Sequence, residues 1–161
     1  MSGVAEVIEA ALTEAGVSFR RTEPQAFLLT LPGERRHRTL LWLLVGDHEL
    51  LVESFVCRRP DENFEEVYRF LLQRNGSLRT VAYTLDAAGD IHLVGRIGLA
   101  SVTAAEIDTV LGVVLEASDA DFNKILERGF ASAIRREWAW RTDTGQSRKN
   151  LEAFTHLIHP S

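Results

Sequence analysis

The sequence predicts an α+β domain in which helices pack on one side of a single antiparallel sheet. Strand-like segments occur as neighbouring pairs joined by short polar turns, and hairpins of this kind build antiparallel sheets. Amphipathic helical patterns occur before, between and after these pairs. The predicted order is therefore α-β-β-β-β-α-β-β-α, with a long helical region at the end.

The first predicted element is an amphipathic helix that includes Val4. Its apolar residues recur at i, i+3 and i+4 spacing, and Gly16 stands where a helix C-terminal cap belongs. Two strands follow, over Val17–Arg21 and Ala26–Leu31. The next segment, Thr39–Val45, is almost continuously apolar, which predicts a central strand covered on both faces.

The segment Glu49–Cys57 follows a tight turn and predicts the hairpin partner of that central strand. Within it, Val52, Phe55 and Val56 are the expected buried residues. Asp61 is of a residue type that favours the N-cap of a second helix. The predicted buried stripe of that helix consists of Phe64, Val67, Tyr68, Leu71 and Leu72.

A second hairpin is predicted from Leu78–Leu85 and Ile91–Leu99, which are joined by a loop rich in aspartate and glycine. Gly95 and Gly98 lie inside the returning strand. Because glycine weakens a strand interior, its presence there predicts a bulge or a close approach of another backbone segment.

The last third of the chain predicts a long amphipathic region over Thr103–Arg141. Thr103 and Glu106 form a capping box, which marks the helix start. A second such pattern at Ser118–Asp121 predicts that the helix breaks and restarts there. We expect the region to close over the sheet through an apolar stripe of Phe122, Leu126, Phe130, Ile134 and Trp138.

The predicted domain covers residues 1–141. Residues 142–161 are mostly polar and predict a loose tail with a short helical turn at Leu151–Ile158. A chain of 161 residues is long enough for one domain with a substantial core.

Composition and charge argue against several classes of partner. The formal net charge is -5, whereas proteins that bind nucleic acid usually present a basic face. The first residues lack the basic region of a signal peptide. The longest strongly apolar run, Leu40–Val45, is far shorter than a membrane span. We therefore expect a cytoplasmic protein with no nucleic-acid or membrane partner.

Catalytic and metal-binding candidates are few. Cys57 is the only cysteine, and the neighbouring Arg58 and Arg59 favour a lowered thiol pKa. No partner base is evident, so an incidental thiol is the favoured interpretation and an enzyme centred on Cys57 the alternative. His156 and His159 stand at i, i+3, a spacing that puts two ligands on one helical face, but no third ligand is placed. We expect no catalytic residue, cofactor or metal.

The candidate partner-binding residues are mainly in one segment that alternates arginine and tryptophan. Arg136 and Trp140 are at i, i+4 and are predicted to stack as a cation–π pair. Trp140 either packs against the first helix, which is the favoured interpretation, or is exposed as an anchor of the kind found in binding hot spots. The predicted partner-binding set is Arg96, Arg135, Arg136, Trp140 and Arg141.

The order of elements, the hairpin around Asp86–Asp90 and the stretches Ala120–Asn123 and Ala131–Trp138 resemble the YbjN-domain family in its actinobacterial form, over roughly Val4–Arg141. That family is described as sensory transduction regulators. Its fold is similar to that of type III secretion chaperones, which are small acidic proteins that often dimerise and hold extended peptide segments. The resemblance implies no catalytic residues.

Together, the residues and the resemblance lead to the expectation of a non-enzymatic regulatory or chaperone-like domain that binds a protein or peptide. The expected contact surface is a face or edge of the sheet together with the region near Arg135–Trp140. A homodimer is compatible with this expectation. The alternative function is a small-molecule or anion sensor, in which Arg96, Arg135, Arg136 and Arg141 gather around a pocket.

Overall fold

The structure is a computed structural model that describes residues 3–36 and 38–159. Short 3-10 turns occur at Leu99–Ser101 and Lys149–Phe154. The remaining helices and strands of the described residues, in chain order, are α1 (Val4–Ala15), β1 (Ser18–Glu23), β2 (Ala26–Pro32), β3 (Arg38–Val45), β4 (Glu49–Cys57), α2 (Phe64–Asn75), β5 (Val81–Leu85), β6 (Ile91–Gly98), α3 (Ala104–Gly129), α4 (Ala131–Thr144) and α5 (Thr155–Ile158).

The six strands form one antiparallel sheet in the order β1-β2-β3-β4-β6-β5. The first four strands are consecutive neighbours, and the β5–β6 hairpin adds to the sheet through pairing of β6 with β4. This arrangement confirms the predicted α+β class and the predicted order of the elements through the second hairpin.

Helices cover only one face of the sheet, which we call the inner face. Along β3, Thr39, Leu41 and Leu43 are buried against the helices. The intervening Leu40 and Trp42 lie on the opposite, outer face, with 44% and 36% of their surface exposed. The prediction that this strand is covered on both faces is therefore wrong, because its outer positions are apolar without being buried.

Strand β4 contains a second residue whose predicted burial is wrong, and it lies next to a bulge. Val52 and Val56 are buried as predicted, but Phe55 lies on the outer face and is 48% exposed. The register with β6 shifts between Phe55 and Cys57. This irregularity lets the adjacent Val56 and Cys57 both be buried, which strict alternation would forbid.

The start of α2 differs from the prediction. The residue before the helix is Asn63, in a left-handed conformation with φ of 53°, whereas Asp61 lies outside and forms an ion pair with Arg58 at 2.6 Å. Val67 and Leu71 are buried as predicted. Leu72 is 71% exposed, so its assignment to the buried stripe is wrong.

Helix α3 begins as predicted, because the Thr103 hydroxyl oxygen accepts a hydrogen bond from the Glu106 backbone N–H at 3.1 Å. It then continues through Ser118 without the predicted break. Ser118 and Asp121, which resemble a cap in the sequence, are both buried inside the fold. The predicted second capping box is therefore part of a continuous helix.

The helix break occurs at Gly129 instead, where α3 ends and α4 begins after Phe130. Pro60 lies against Gly129, and a Cβ there would come within 2.9 Å of the proline Cβ. The Gly129 carbonyl oxygen accepts the N–H of Asp61 at 3.0 Å. The bend between α3 and α4 therefore coincides with a contact between Gly129 and the Pro60–Asp61 segment, which is far away in the sequence.

The segment after α4 folds back onto the helices. Phe154 is buried in the core, and the 3-10 turn that contains it packs against α3 and α4. The described part of the segment thus differs from the loose tail that its composition predicts, although Lys149–Phe154 and α5 coincide with the predicted short turn. The division of the domain at residue 141 stays a prediction.

Candidate functional site

The outer face of the sheet carries a group of apolar side chains. Leu40, Trp42 and Phe55 are its exposed large side chains. In the strand register, Trp42 lies between Leu28 of β2 and Glu53 of β4. Half-buried apolar side chains extend this group across four strands. We call the full set the outer apolar face: Leu28, Leu40, Trp42, Leu44, Leu51, Phe55 and Val94.

Acidic side chains adjoin the outer apolar face. A shallow groove of about 330 Å³ is lined by the apolar side chains of Trp42 and Leu44 and by the carboxylates of Glu23 and Glu53. Apolar walls with carboxylates beside them suit a segment that alternates apolar and basic side chains. A partner of this kind would bury apolar area against the walls and place its positive charges near the carboxylates.

A histidine connects the aromatic and acidic parts of this face. The His92 ring packs edge-on against Phe55, with ring centroids 5.4 Å apart. Its Nε2 lies 2.9 Å from Asp86 Oδ2, and its Nδ1 lies 3.8 Å from Glu53 Oε1. The interaction with His92 is the largest cause that lowers the pKa of the Asp86 carboxyl. The contacts hold the histidine in place beside Phe55.

The predicted partner-binding residues lie elsewhere, mostly on α4. Trp140 is 51% exposed, so the interpretation that it is packed against α1 is wrong, and its role as a binding anchor stays a prediction. The predicted stack of Arg136 on Trp140 is absent from the described residues. Arg148 covers the neighbouring Trp138 instead, with its guanidinium carbon 4.8 Å from the ring centroid.

The remaining predicted arginines have separate local partners. Arg135 Nε donates to the Leu157 carbonyl oxygen at 3.0 Å, and Arg141 Nε donates to Glu137 at 2.7 Å. The two arginines therefore contact different parts of the fold. Arg96 lies on the outer face, on β6, and pairs with Glu49. Their role in partner binding stays a prediction.

Cys57 is buried, and its surroundings disfavour the thiolate. Burial raises the pKa of the Cys57 thiol to about 11, and this effect exceeds the opposing influence of the Arg36 and Arg58 charges. The Arg58 charge lowers this pKa, as the sequence predicts, but burial has the larger effect, so the net shift is opposite to the one expected. A thiol with a raised pKa and little exposure is a poor nucleophile at neutral pH.

The two C-terminal histidines have different partners. His156 Nε2 lies 2.9 Å from Glu127 Oε2, whereas the His159 ring packs edge-on against Trp138. Over residues 3–36 and 38–159, no three histidine, cysteine, aspartate or glutamate side chains are grouped as metal ligands.

A sheet face or edge was the expected contact surface, but the residues of the outer apolar face were not predicted, because β3 was expected to be covered on both faces. Leu40, Trp42 and Leu44 are apolar like the buried residues between them, so β3 shows no alternation of apolar and polar residues. An alternation of apolar and polar residues is the usual sequence signal of a strand with only one buried face. An indirect signal was present, since the partner strand β4 places Glu49 and Glu53 at outward positions.

Comparison with known proteins identifies the family. The YbjN profile, described as "Putative bacterial sensory transduction regulator", matches residues 5–127, which is more than half of the chain. This chain belongs to the YbjN family. The uncharacterized protein Rv0487 of Mycobacterium tuberculosis is 58% identical over 134 residues, covering 83% of this chain and 73% of the relative. The uncharacterized protein ML2442 of Mycobacterium leprae is 60% identical over 131 residues, covering 81% of this chain and 71% of the relative.

Solved structures share the fold of this YbjN domain. A chain of the heterodimeric ExoU–SpcU complex from the type III secretion system of Pseudomonas aeruginosa has a TM-score of 0.57 at 20% identity, covering 74% of this chain and 98% of that chain. A chain of the ExsC–ExsE complex has a TM-score of 0.53 at 15% identity, covering 74% and 91%. The predicted resemblance to secretion chaperones is thus confirmed at the level of the fold.

In residues 3–36 and 38–159, no helix has both the length and the apolar character needed to cross a bilayer.

Proposed function

We propose that this YbjN-family chain is a non-enzymatic, chaperone-like domain that binds a protein segment and acts in the cytoplasm. The observation that carries the proposal is the outer apolar face, where Leu40, Trp42 and Phe55 stand exposed on a sheet that helices leave open. Large exposed apolar patches mark interaction sites. The two structural neighbours above come from protein–protein complexes, which supports the same function.

The chemistry of the face indicates what it binds. Trp42 and Phe55 offer aromatic area, which contributes strongly to binding when buried under a partner. Glu23 and Glu53 border the groove beside Trp42. We therefore expect the bound segment to present apolar side chains to the aromatic rings and a lysine or arginine near the two carboxylates.

The alternative functions have less support. The four arginines of the proposed anion sensor include Arg96, Arg135 and Arg141, and each of these three contacts a different partner within the fold. The candidate enzyme site depends on Cys57, whose thiol is buried with a raised pKa. Protein binding by the outer apolar face requires neither a gathered anion site nor a reactive thiol.

A capture experiment with matched variants tests the proposal. The full chain is immobilised as wild type, as Trp42→Ala/Phe55→Ala and as the control Leu72→Ala, which removes an exposed apolar side chain from α2 instead. Proteins from the native cytosol that the wild type retains are identified, prepared pure and titrated against each variant by calorimetry. A further variant, Trp140→Ala, asks whether α4 contributes to the same complex.

The expected result is a loss of at least about tenfold in affinity for the double variant, with the control unchanged, since central aromatic contacts dominate binding energy. Thermal unfolding of each variant checks that the fold is intact. Equal affinity of wild type and double variant for every captured partner would exclude the outer apolar face as the site. A loss confined to Trp140→Ala would place the site on α4.

We also propose that the chain self-associates. The exposed side of α4, which includes Arg136 and the half-exposed Trp140, has residue types that are enriched in protein–protein contacts.

A further inference from the structure

Helix α4 has a narrow outward face formed by Arg136, Ala139, Trp140 and Asp143. These residues stand at i, i+3, i+4 and i+7, which places them on one side of the helix. All four are exposed. The opposite side carries the buried Ile134 and packs into the core. We call the four residues the α4 outward face.

The charged residues of the α4 outward face form no ion pair within the described residues, although, after the hydrogen bond from Arg58, the Arg136 charge contributes to lowering the pKa of the Asp61 carboxyl. Neither Arg136 nor Asp143 takes part in an ion pair there, although the adjacent Arg141 and Glu137 pair with each other at 2.7 Å. Between Arg136 and Asp143, Trp140 exposes half of its surface. Tryptophan and arginine are the residues most enriched where proteins bind each other.

The order of these residues is self-complementary. Arg136 and Asp143 are equally far from the midpoint between Ala139 and Trp140. When two such helices pair antiparallel about a two-fold axis at that midpoint, each residue faces the one at the same distance on the other side. Arg136 then faces Asp143 of the second copy, and Trp140 faces Ala139 of the second copy, each twice.

We propose that α4 is a homodimer interface in which two copies of this chain pair antiparallel through the α4 outward face. The pairing places a large ring over a small residue, which lets the helices approach closely, and puts opposite charges on both flanks. This inference deepens the proposed self-association, and it does not use the outer apolar face.

The charge order favours a second copy over an unrelated partner. A purely acidic surface would match Arg136 but repel Asp143, and a purely basic surface would do the reverse. The antiparallel copy satisfies both. The contact area is limited to one helix face, below the standard of about 800 Å² per partner. The dimer is therefore reversible, and its population rises with protein concentration.

Charge reversal gives a sharp test, read by sedimentation velocity of the full chain over a concentration series. The variants are Arg136→Glu, Asp143→Arg and the double variant Arg136→Glu/Asp143→Arg. Each single reversal sets like charges against each other twice, and we expect the dimer dissociation constant to rise at least tenfold. The double reversal restores opposite charges and returns the constant to within about threefold of wild type.

Two further variants complete the design. Trp140→Ala is expected to weaken the dimer as much as a single reversal, because it removes the central apolar contact. Trp42→Ala/Phe55→Ala leaves dimerisation unchanged, so a failure of the proposed partner site and a failure of this interface are seen separately. Thermal unfolding midpoints equal to wild type show that each variant is folded, as expected for side chains that face solvent in the monomer.

Three outcomes would overturn the interface. The first is a wild type that stays monomeric up to about 1 mM, where association is very weak. The second is a dimer that both single reversals leave intact, which would locate the contact elsewhere. The third is a double reversal that stays as weak as its parents, which would show that Arg136 and Asp143 do not face each other across the two-fold axis.

Discussion

The Tyr83 hydroxyl on β5 donates a hydrogen bond of 2.7 Å to Oδ2 of Asp121, which is buried in α3. Arg74 Nε, from α2, donates to the same oxygen at 2.8 Å. One carboxylate therefore connects the sheet with two helices. Burial, together with the Asp121 charge, raises the pKa of Tyr83 well above its ordinary value, so the phenol stays a donor at physiological pH.

Replacing this carboxylate is expected to destabilise the fold. Asp121→Ala leaves the Tyr83 hydroxyl without its acceptor and takes the buried partner from Arg74, whose other carboxylate contact, Glu116, is largely exposed. We expect a loss of about 3 kcal/mol in the free energy of unfolding, measured with urea. The control Glu65→Ala breaks an exposed pair with Arg69 and should not differ measurably from wild type. A loss as small as the control's would contradict the structural role of Asp121.

The one-sided cover of the sheet predicts different effects for two adjacent leucines. Leu41 is fully buried on the inner face, so Leu41→Ala should cost about 2–5 kcal/mol of stability. Leu40 lies on the outer face, and Leu40→Ala should cost less than about 1 kcal/mol. Both are measured by denaturant unfolding. Equal losses would mean that the outer face is covered after all.

Two glycines are expected to respond to alanine with opposite signs. Gly95 on β6 lies against the Thr80 carbonyl oxygen, and an added Cβ would collide with it, which confirms the predicted close backbone approach. Gly95→Ala should therefore cost about 2 kcal/mol or more. Gly112, in α3, has open space around its Cβ position, so Gly112→Ala should stabilise by about 0.5–1 kcal/mol through helix propensity. Paired thermal unfolding of the two variants measures both effects, and a stabilised Gly95→Ala protein would contradict the contact.

The Cys57 thiol is expected to react slowly in the native protein. Because its pKa is raised to about 11, almost no thiolate exists at pH 7, and burial limits access by reagents. Native alkylation should be much slower than alkylation in denaturant, which is measured by mass spectrometry of samples quenched at intervals. The native rate should rise through pH 9 rather than level off below it. Fast, stoichiometric native labelling at pH 7 would revive Cys57 as a catalytic candidate.

Local signals in the sequence predicted much of the fold. Gly16, with φ of 70°, ends α1, and Thr103 caps α3, because both effects depend on a few neighbouring residues. The hairpins follow from turn residues between apolar segments. The order of elements and the antiparallel sheet were therefore accessible without coordinates.

Features of the fold that depend on contacts between residues far apart in the sequence could not be predicted. Ser118–Asp121 resembles a cap, yet the carboxylate of Asp121 is used by Arg74 and Tyr83 from other elements. The helix bends at Gly129 instead, against Pro60. The direction of α4, and with it the exposure of Trp140, depends on that contact and was not predictable from helical periodicity.

The bend has a mechanical consequence. Glu62, in the loop before α2, accepts the Ser132 backbone N–H at 2.7 Å and its hydroxyl at 3.0 Å, at the start of α4. With Pro60 in contact with Gly129, this loop joins the sheet to α4 on both sides of the bend. The orientation of α4 is therefore tied to the loop before α2, so the two proposed binding surfaces are connected by the fold rather than by a flexible linker.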